Sequence, residues 1–425
     1  MPATILIDYP DRIPDHPALD AIFASKVPPV VIYPVSHAVG LSVIRTLEDH
    51  DIPLLALDHK PKSAGLRSNR VTPVLMPSLG QGVAGFCEGM LALGRKFAVK
   101  PVLFVVDDEE LFLTLKRKDE FAAVYRLPLS DWDVVEPIVD KGQMYRNLAK
   151  KAYPIPTSFF PQNEAELDQL RGQLPMPCII KPTYSTEFRQ RFGVKAKCFD
   201  DFDALRAFAL ELFAIKLDFV IQDFIPGGAD QLYTYAAFSD DEGNVLASFT
   251  GRKLHQFPPD FGTCRLGESI ESPALEAVGA ELLKILRYRG ISLTEFKADP
   301  NGNFKLIELN PRPGDWPERL AQLCGSNLVL AAYRHAIGEV VEPSRITRFG
   351  VRWANLLEDF YYCVRGYRLF AYPEAHRGVW GWFADLKGLE SCAFFSWDDP
   401  LPGLVRTWGM IREFAKRERQ FRSKP

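Results

Sequence analysis

The stretch "TEFKADPNGNFKLIELNPRPG", residues 294–314, decides how this chain folds. Asn301-Gly302 sits between two alternating runs, which is the mark of a β-hairpin. Folded about that pair, Phe296 lies across from Ile307, Lys297 from Leu306, and Glu295 directly across from Glu308. Like charges facing each other destabilise a sheet. The pairing is tolerated if the register differs, if both acids face water, or if a cation lies between them. Alternation puts Asn310 on the face of Glu308. Glu295, Glu308 and Asn310 then offer hard, partly anionic oxygens, a donor set suited to Mg²⁺, which completes its octahedron with phosphates and water. An exposed charged hairpin is the plain alternative. Arg312 continues the alternation as a fork for phosphate or carboxylate, and Pro311 and Pro313 hold its backbone extended.

The whole chain has 425 residues, enough for two or three domains. It is 47% hydrophobic and 25% charged, the composition of a folded soluble protein. A formal net charge of -3 gives no global field for nucleic acid or an anionic membrane. No apolar run is long enough to span a bilayer. The opening "MPATILIDYPDRIPDHPALD" has early acids and no apolar core, so no signal peptide and a cytoplasmic location are expected. The seven cysteines are scattered without a CxxC pair, and the histidines form no HExxH. Neither a disulfide framework nor a zinc site is expected from that spacing.

Three regions separate by pattern. Residues 1–136 alternate short buried strands ("PPVVIYPV", "IPLLALD", "KPVLFVVDDEE") with amphipathic helix, as in a parallel α/β sheet. The loop after the first of these strands, residues 36–40, has one glycine, Gly40, where a dinucleotide fingerprint wants three. A plain βαβ unit or a small-substrate site fits it better than NAD. Residues 137–340 mix strands and helices without strict alternation, so this part is α+β. Residues 341–425 are aromatic-rich and end in a basic helix. Their tryptophans and "WDDPLP" read as packing against the rest of the chain, with closure of a substrate pocket as the alternative.

Lys141 in "DKGQMYRNLAKKAYPIPTS", Lys181 in "PCIIKP", "VIQDFIPGG" and the hairpin occur in the order and spacing of the ATP-grasp superfamily. Together with "GRKLHQFPPDFGTC" and the aromatic tail, they resemble the carboxylate–amine ligase branch that includes D-aspartate ligase. The resemblance covers residues 137 to about 339. It implies an ATP-grasp fold of two lobes hinged near 220–228, preceded by a Rossmann-like pre-ATP-grasp domain and followed by a small C-terminal extension.

The resemblance also implies roles. Lys141 and Lys181 would reach ATP phosphates. Gln222, Asp223 and Ile225 would hold the adenine at the hinge, and Asp230 a ribose hydroxyl, although turn chemistry around Pro226-Gly227-Gly228 explains the two aspartates nearly as well. Glu295, Glu308 and Asn310 match the Mg²⁺ ligands, where Mn²⁺ can substitute, and Arg312 the arginine that steadies an acyl phosphate. Arg252, Lys253 and Arg265 would clamp the γ-phosphate or the acid, with His255 beside them. One departure is the glycine-poor loop 182–195, which has only Gly193 where many relatives have several glycines. The implied reaction joins a small carboxylate to an amine, amino acid or peptide, in a homodimer, with no nucleic-acid or membrane partner. A carboxylase or kinase, or a non-catalytic nucleotide-binding scaffold, are the alternatives.

Overall fold

The computed structural model describes residues 4–7, 13–76, 82–259, 261–365 and 376–422. Near its start, Val30–Tyr33, Leu54–Asp58 and Val102–Val105 are buried along their whole length, as parallel strands covered on both faces must be. With Ile5–Leu6 and Thr72–Leu75 they form a five-stranded sheet, every pair parallel. The chain steps from Val30–Tyr33 through Leu54–Asp58 to Thr72–Leu75, then crosses back to place Val102–Val105 on the other side of Val30–Tyr33. The loops after Val30–Tyr33 and Val102–Val105 therefore flank a topological switch point, where open α/β sheets bind ligands.

The next region makes two antiparallel lobes. The smaller is a four-stranded sheet in the order Ser158–Phe159, Phe219–Asp223, Cys178–Pro182, Lys197–Phe199. The helix Phe202–Ala214, capped by the Asp201 carboxylate accepting from the Ala204 N–H, packs Leu205, Phe208 and Leu212 with Ile180 and Ile221 in its core. The segment 182–195, expected as a loop, contains the helix Ser185–Phe192 instead. Phe188 of that helix is fully buried in the same core.

The larger lobe is an eight-stranded sheet. Its order is Phe304–Asn310, Gly290–Ala298, Leu232–Ser239, Val245–Phe257, Thr263–Ser269, Arg352–Ala354, Leu389–Cys392, and Ser344–Arg345 pairs with Val245–Phe257. Residues beyond 340 thus continue this sheet rather than forming a separate appendage. They also reach the first region. The "WDDPLP" segment docks there, with Asp398 paired to Arg70 at 2.7 Å and the Asp399 carboxylate accepting from the Asn69 N–H at 3.0 Å. Among the described residues, no helix is long and apolar enough to cross a membrane.

The hairpin differs from expectation in one informative way. Its loop is wider than Asn301-Gly302 alone, because the Asp299 carboxylate accepts from the backbone N–H of Asn301 and of Asn303. Phe296 pairs with Leu306 and Lys297 with Lys305, one residue off the expected partners. A bulge between Glu295 and Phe296 restores the register, so Glu295 does face Glu308. The extra residue also resets the faces. Leu306 and Leu309 both enter the core, while Ile307 and Glu308 both line the cleft.

Candidate functional site

A cleft of about 1650 Å³ runs between the two lobes, with the switch-point loops on one side and the C-terminal residues on another. Glu295, Glu308 and Asn310 all line it. Each acid has a lysine against it: Lys253 Nζ lies 2.6 Å from Glu295 Oε1, and Lys141 Nζ lies 2.9 Å from Glu308 Oε1. Lys141 is the first residue of the helix Lys141–Lys150, whose start is fixed by the Asp140 side chain accepting from the Gln143 N–H. Burial works to raise the Glu308 carboxyl, but Lys141, Lys195 and Lys181 outweigh it and hold it down to about 2. Glu308 is therefore a carboxylate at any ordinary pH. Two facing carboxylates and a carboxamide, in a field made positive by lysines, fit a hard divalent cation bound to phosphate.

Lys181 closes the buried strand Cys178–Pro182 and is itself buried. Burial, reinforced by Lys141, lowers its ammonium to about 8. Such a group gains most from an anion brought beside it. Arg312 lines the cleft and, from the larger lobe, grips Asp108 of the first region, Nε to Oδ1 at 2.5 Å. Asp108 opens the helix Asp108–Lys116 at the switch point. The same crevice receives His37, Ala38 and Val39 from the loop 36–40 and the helix Ala38–Thr46. Gly40 is there for packing: a Cβ at this position would stand 2.7 Å from the Val35 Cα, too close for any side chain.

At the hinge, Asp223, Ile225 and Asp230 line the cleft. Gln222 does not. Its strand is paired on both edges, its side chain is buried, and its carboxamide donates to Ser158 Oγ at 2.8 Å. Arg252 also stands apart. Adjacent strand residues face opposite ways, so when Lys253 meets Glu295, Arg252 turns to the other face and pairs with Glu268 at 2.5 Å. Arg265 lines the cleft and pairs with Glu358 of the C-terminal region at 2.7 Å. His255 lines it too, buried against Asp359.

Several cleft residues escaped the sequence reading. Lys195 contributes to the field on Glu308. Burial raises the Asp315 carboxyl, against the pull of Arg265 and Lys253. Arg406 and Arg417 of the last helix also line the cleft. Asp315 follows the hairpin directly in sequence, whereas Arg406 and Arg417 reach the cleft only through the tertiary fold.

No protein-family model matches the chain. It is 25% identical over 249 residues to a D-aspartate ligase of Enterococcus faecium (strain Aus0004), a match covering 54% of this chain and 58% of that protein. The match thus spans less than two thirds of that relative's length. Among solved structures, it resembles a biotin carboxylase from Campylobacter jejuni (TM-score 0.60, 12% identity, 75% of this chain and 72% of that one). It also resembles an N5-carboxyaminoimidazole synthetase from Staphylococcus aureus (TM-score 0.58, 10% identity, 77% and 81%). An L-amino acid ligase from Bacillus licheniformis is similar as well (TM-score 0.55, 14% identity, 75% and 76%). At these identities the structural likenesses establish the fold.

Proposed function

We infer that this chain, a member of the ATP-grasp superfamily by its fold, is an ATP-dependent carboxylate–amine ligase that forms an amide or peptide bond through an acyl phosphate. The observation that carries the reading is the facing pair Glu295 and Glu308, with Asn310 beside them and Lys141, Lys181 and Arg312 around the same cleft. Lys141 and Lys181 would bind the phosphates of ATP, Asp223 and Ile225 the adenine edge, and Asp230 the ribose. Glu295, Glu308 and Asn310 would hold Mg²⁺ or Mn²⁺, whose charge offsets that of the transferring phosphoryl group.

A carboxylate oxygen of the acid attacks the γ-phosphorus, the bridging P–O bond breaks, and ADP leaves. The amine then attacks the carbonyl carbon, phosphate departs, and the nitrogen loses a proton. Neither step needs a protein nucleophile, and positioning with charge neutralisation suffices. A buried cleft thiol agrees with this: burial raises Cys264 far from the thiolate form. Lys253, Arg265 and the loop 36–40 are proposed to meet the acid substrate.

The ligase reading is favoured by the sequence match to a D-aspartate ligase. Carboxylation is the second reading, because carboxylases are among the structural neighbours. The test is ADP and phosphate release from Mg·ATP, with pooled amino acids and small acids, with and without amines, and with bicarbonate. Release that needs both an acid and an amine supports the ligase. Release with bicarbonate alone supports the carboxylase. ATP binding without release in any pool supports a scaffold.

A further inference from the structure

His255, Asp359 and Cys363 form a second polar cluster, on the wall of the cleft remote in character from the oxygen-only hairpin. All are buried, with relative exposures of 7%, 0% and 7%. The Nδ1 of His255 lies 3.0 Å from Asp359 Oδ1, the Cys363 sulfur 3.7 Å from that nitrogen, and the sulfur 3.5 Å from the carboxylate oxygen. A tetrahedral zinc ion with one nitrogen, one oxygen and one sulfur ligand has ligand–ligand separations of roughly 3.3–3.6 Å, from its usual bond lengths. The triangle is close to that size before any ion is placed in it.

The surroundings hold the ligands in the required poses. His255 Nε2 lies 3.2 Å from Asp385 Oδ2, a carboxylate placed to accept an N–H from the far ring nitrogen, while Nδ1 lies 3.0 and 3.1 Å from the two Asp359 oxygens. In the tautomer with the proton on Nε2, Nδ1 faces the other two ligand atoms with a lone pair, the carboxylate–histidine–metal arrangement typical of metal sites. The indole of Trp382 donates to Asp359 Oδ2 at 2.7 Å, fixing one carboxylate oxygen and leaving Oδ1 toward the sulfur. Asp359 lies in the last turn of the helix Leu356–Phe360, and Cys363 in the π-helical turn Tyr361–Arg365 that follows. Single π-helical turns mark functional positions more often than chance. Three mutually facing Lewis-basic atoms inside a protein need a cation among them, either protons or a metal.

We propose that His255, Asp359 and Cys363 bind a structural or substrate-facing Zn²⁺-class ion, distinct from the Mg²⁺ expected at the hairpin. The thiolate selects a borderline-soft metal over Mg²⁺. Binding releases the thiol proton and any proton on Nδ1. His255 and Cys363 both line the cleft, so a fourth coordination position opens toward the substrate side. The ion pins the C-terminal segment 356–365 to the strand Val245–Phe257, and with it the wall made by Arg265–Glu358 and the Phe257–Tyr362 stack. The spacing reading expected no zinc site because its ligands lie 104 and 108 residues apart from His255.

The test needs no ATP and no substrate. The full chain is stripped with a chelator, then titrated with Zn²⁺ and, separately, Co²⁺. About one Zn²⁺ per chain is expected, with a sulfur-to-cobalt charge-transfer band in the near ultraviolet. Cys363→Ser abolishes the band, Cys198→Ser at an exposed thiol keeps it, and Asp385→Asn weakens Zn²⁺ binding by about 10- to 100-fold. No Zn²⁺ uptake by the wild-type chain, or a band that survives Cys363→Ser, overturns the proposal and leaves a protonated hydrogen-bonded network. The hairpin carboxylates can also take up Zn²⁺, so the sulfur-to-cobalt band is the deciding signal: its absence from the wild-type chain overturns the proposal whether or not a variant folds.

Discussion

Glu308 is held in its charged form by three lysines, yet its partner across the sheet is another acid. Lys141 and Lys253 offset part of that repulsion, which makes Glu308 the residue whose neutralisation discriminates a metal site from an ion-paired hairpin. Glu308→Gln preserves size and the core neighbour Leu309. It is expected to leave thermal stability nearly unchanged and to lower Mg²⁺-dependent turnover by at least about 100-fold. Near-normal rates would remove the metal assignment.

Glu318, six residues beyond Arg312 in the first turn of the helix Pro317–Leu323, poses a different test. It is fully buried, and one oxygen accepts from the Gly314 N–H at 2.7 Å while the other has no partner. Burial raises its carboxyl to about 8 from an ordinary 4.5. The folded chain therefore holds this proton through a range where the unfolded chain has lost it. Its contribution to stability is full below about pH 4.5 and falls as pH rises toward about 8, by on the order of a few kcal/mol. Glu318→Gln keeps the acceptor for Gly314 and carries no titration. Denaturant unfolding at pH 5 and pH 8 should show a smaller difference for the variant than for the wild type; equal differences would place the proton elsewhere.

Among the elements, the hairpin shows what was legible in the sequence and what was not. Alternation and Asn301-Gly302 were enough to put Glu295 opposite Glu308. The loop width and the bulge were invisible, since an Asp299 side chain bonding to two backbone N–H groups replaces a tight turn. The two departures cancel at the acids and not at Phe296 or Lys297. Alternation also argues against pairing Arg252 with Lys253 as joint clamps, an inference available from the sequence but masked by the resemblance. The helix Pro273–Leu286 offers the element-scale prediction. A Cβ at Gly279 would come within 2.2 Å of the buried Tyr235 ring, so the helix lies directly on the sheet that carries Glu295. Gly279→Ala is expected to destabilise by about 1–3 kcal/mol despite its better helix propensity, read as a lower denaturation midpoint. A stabilised variant would mean that the helix can lift off the sheet at little cost.

Across the whole molecule, the first region, the two lobes and the C-terminal residues all contribute to one cleft. The two-lobed fold and the lysines were recognisable because each rests on local pattern and order. The partners of those residues were not, because Arg312 meets Asp108 from 204 residues away. The C-terminal region likewise joins the large sheet by pairing Arg352–Ala354 with residues 266–268 and Ser344–Arg345 with residues 247–248. Its aromatic content reads as packing, and part of it is, as in the Tyr361–Phe414 stack. Its arginines Arg406 and Arg417, however, line the cleft.

The central claim is that a substrate carboxylate attacks ATP in this cleft. The most direct measurement uses the acid found active in the pooled assay, labelled with oxygen-18 in its carboxylate, with Mg·ATP and the amine in unlabelled water. The account predicts one labelled oxygen in each phosphate released, because the attacking oxygen stays on phosphorus when the amine displaces it. Unlabelled phosphate, formed with normal product, would mean that the carboxylate never bonds to phosphorus and would contradict the acyl-phosphate mechanism.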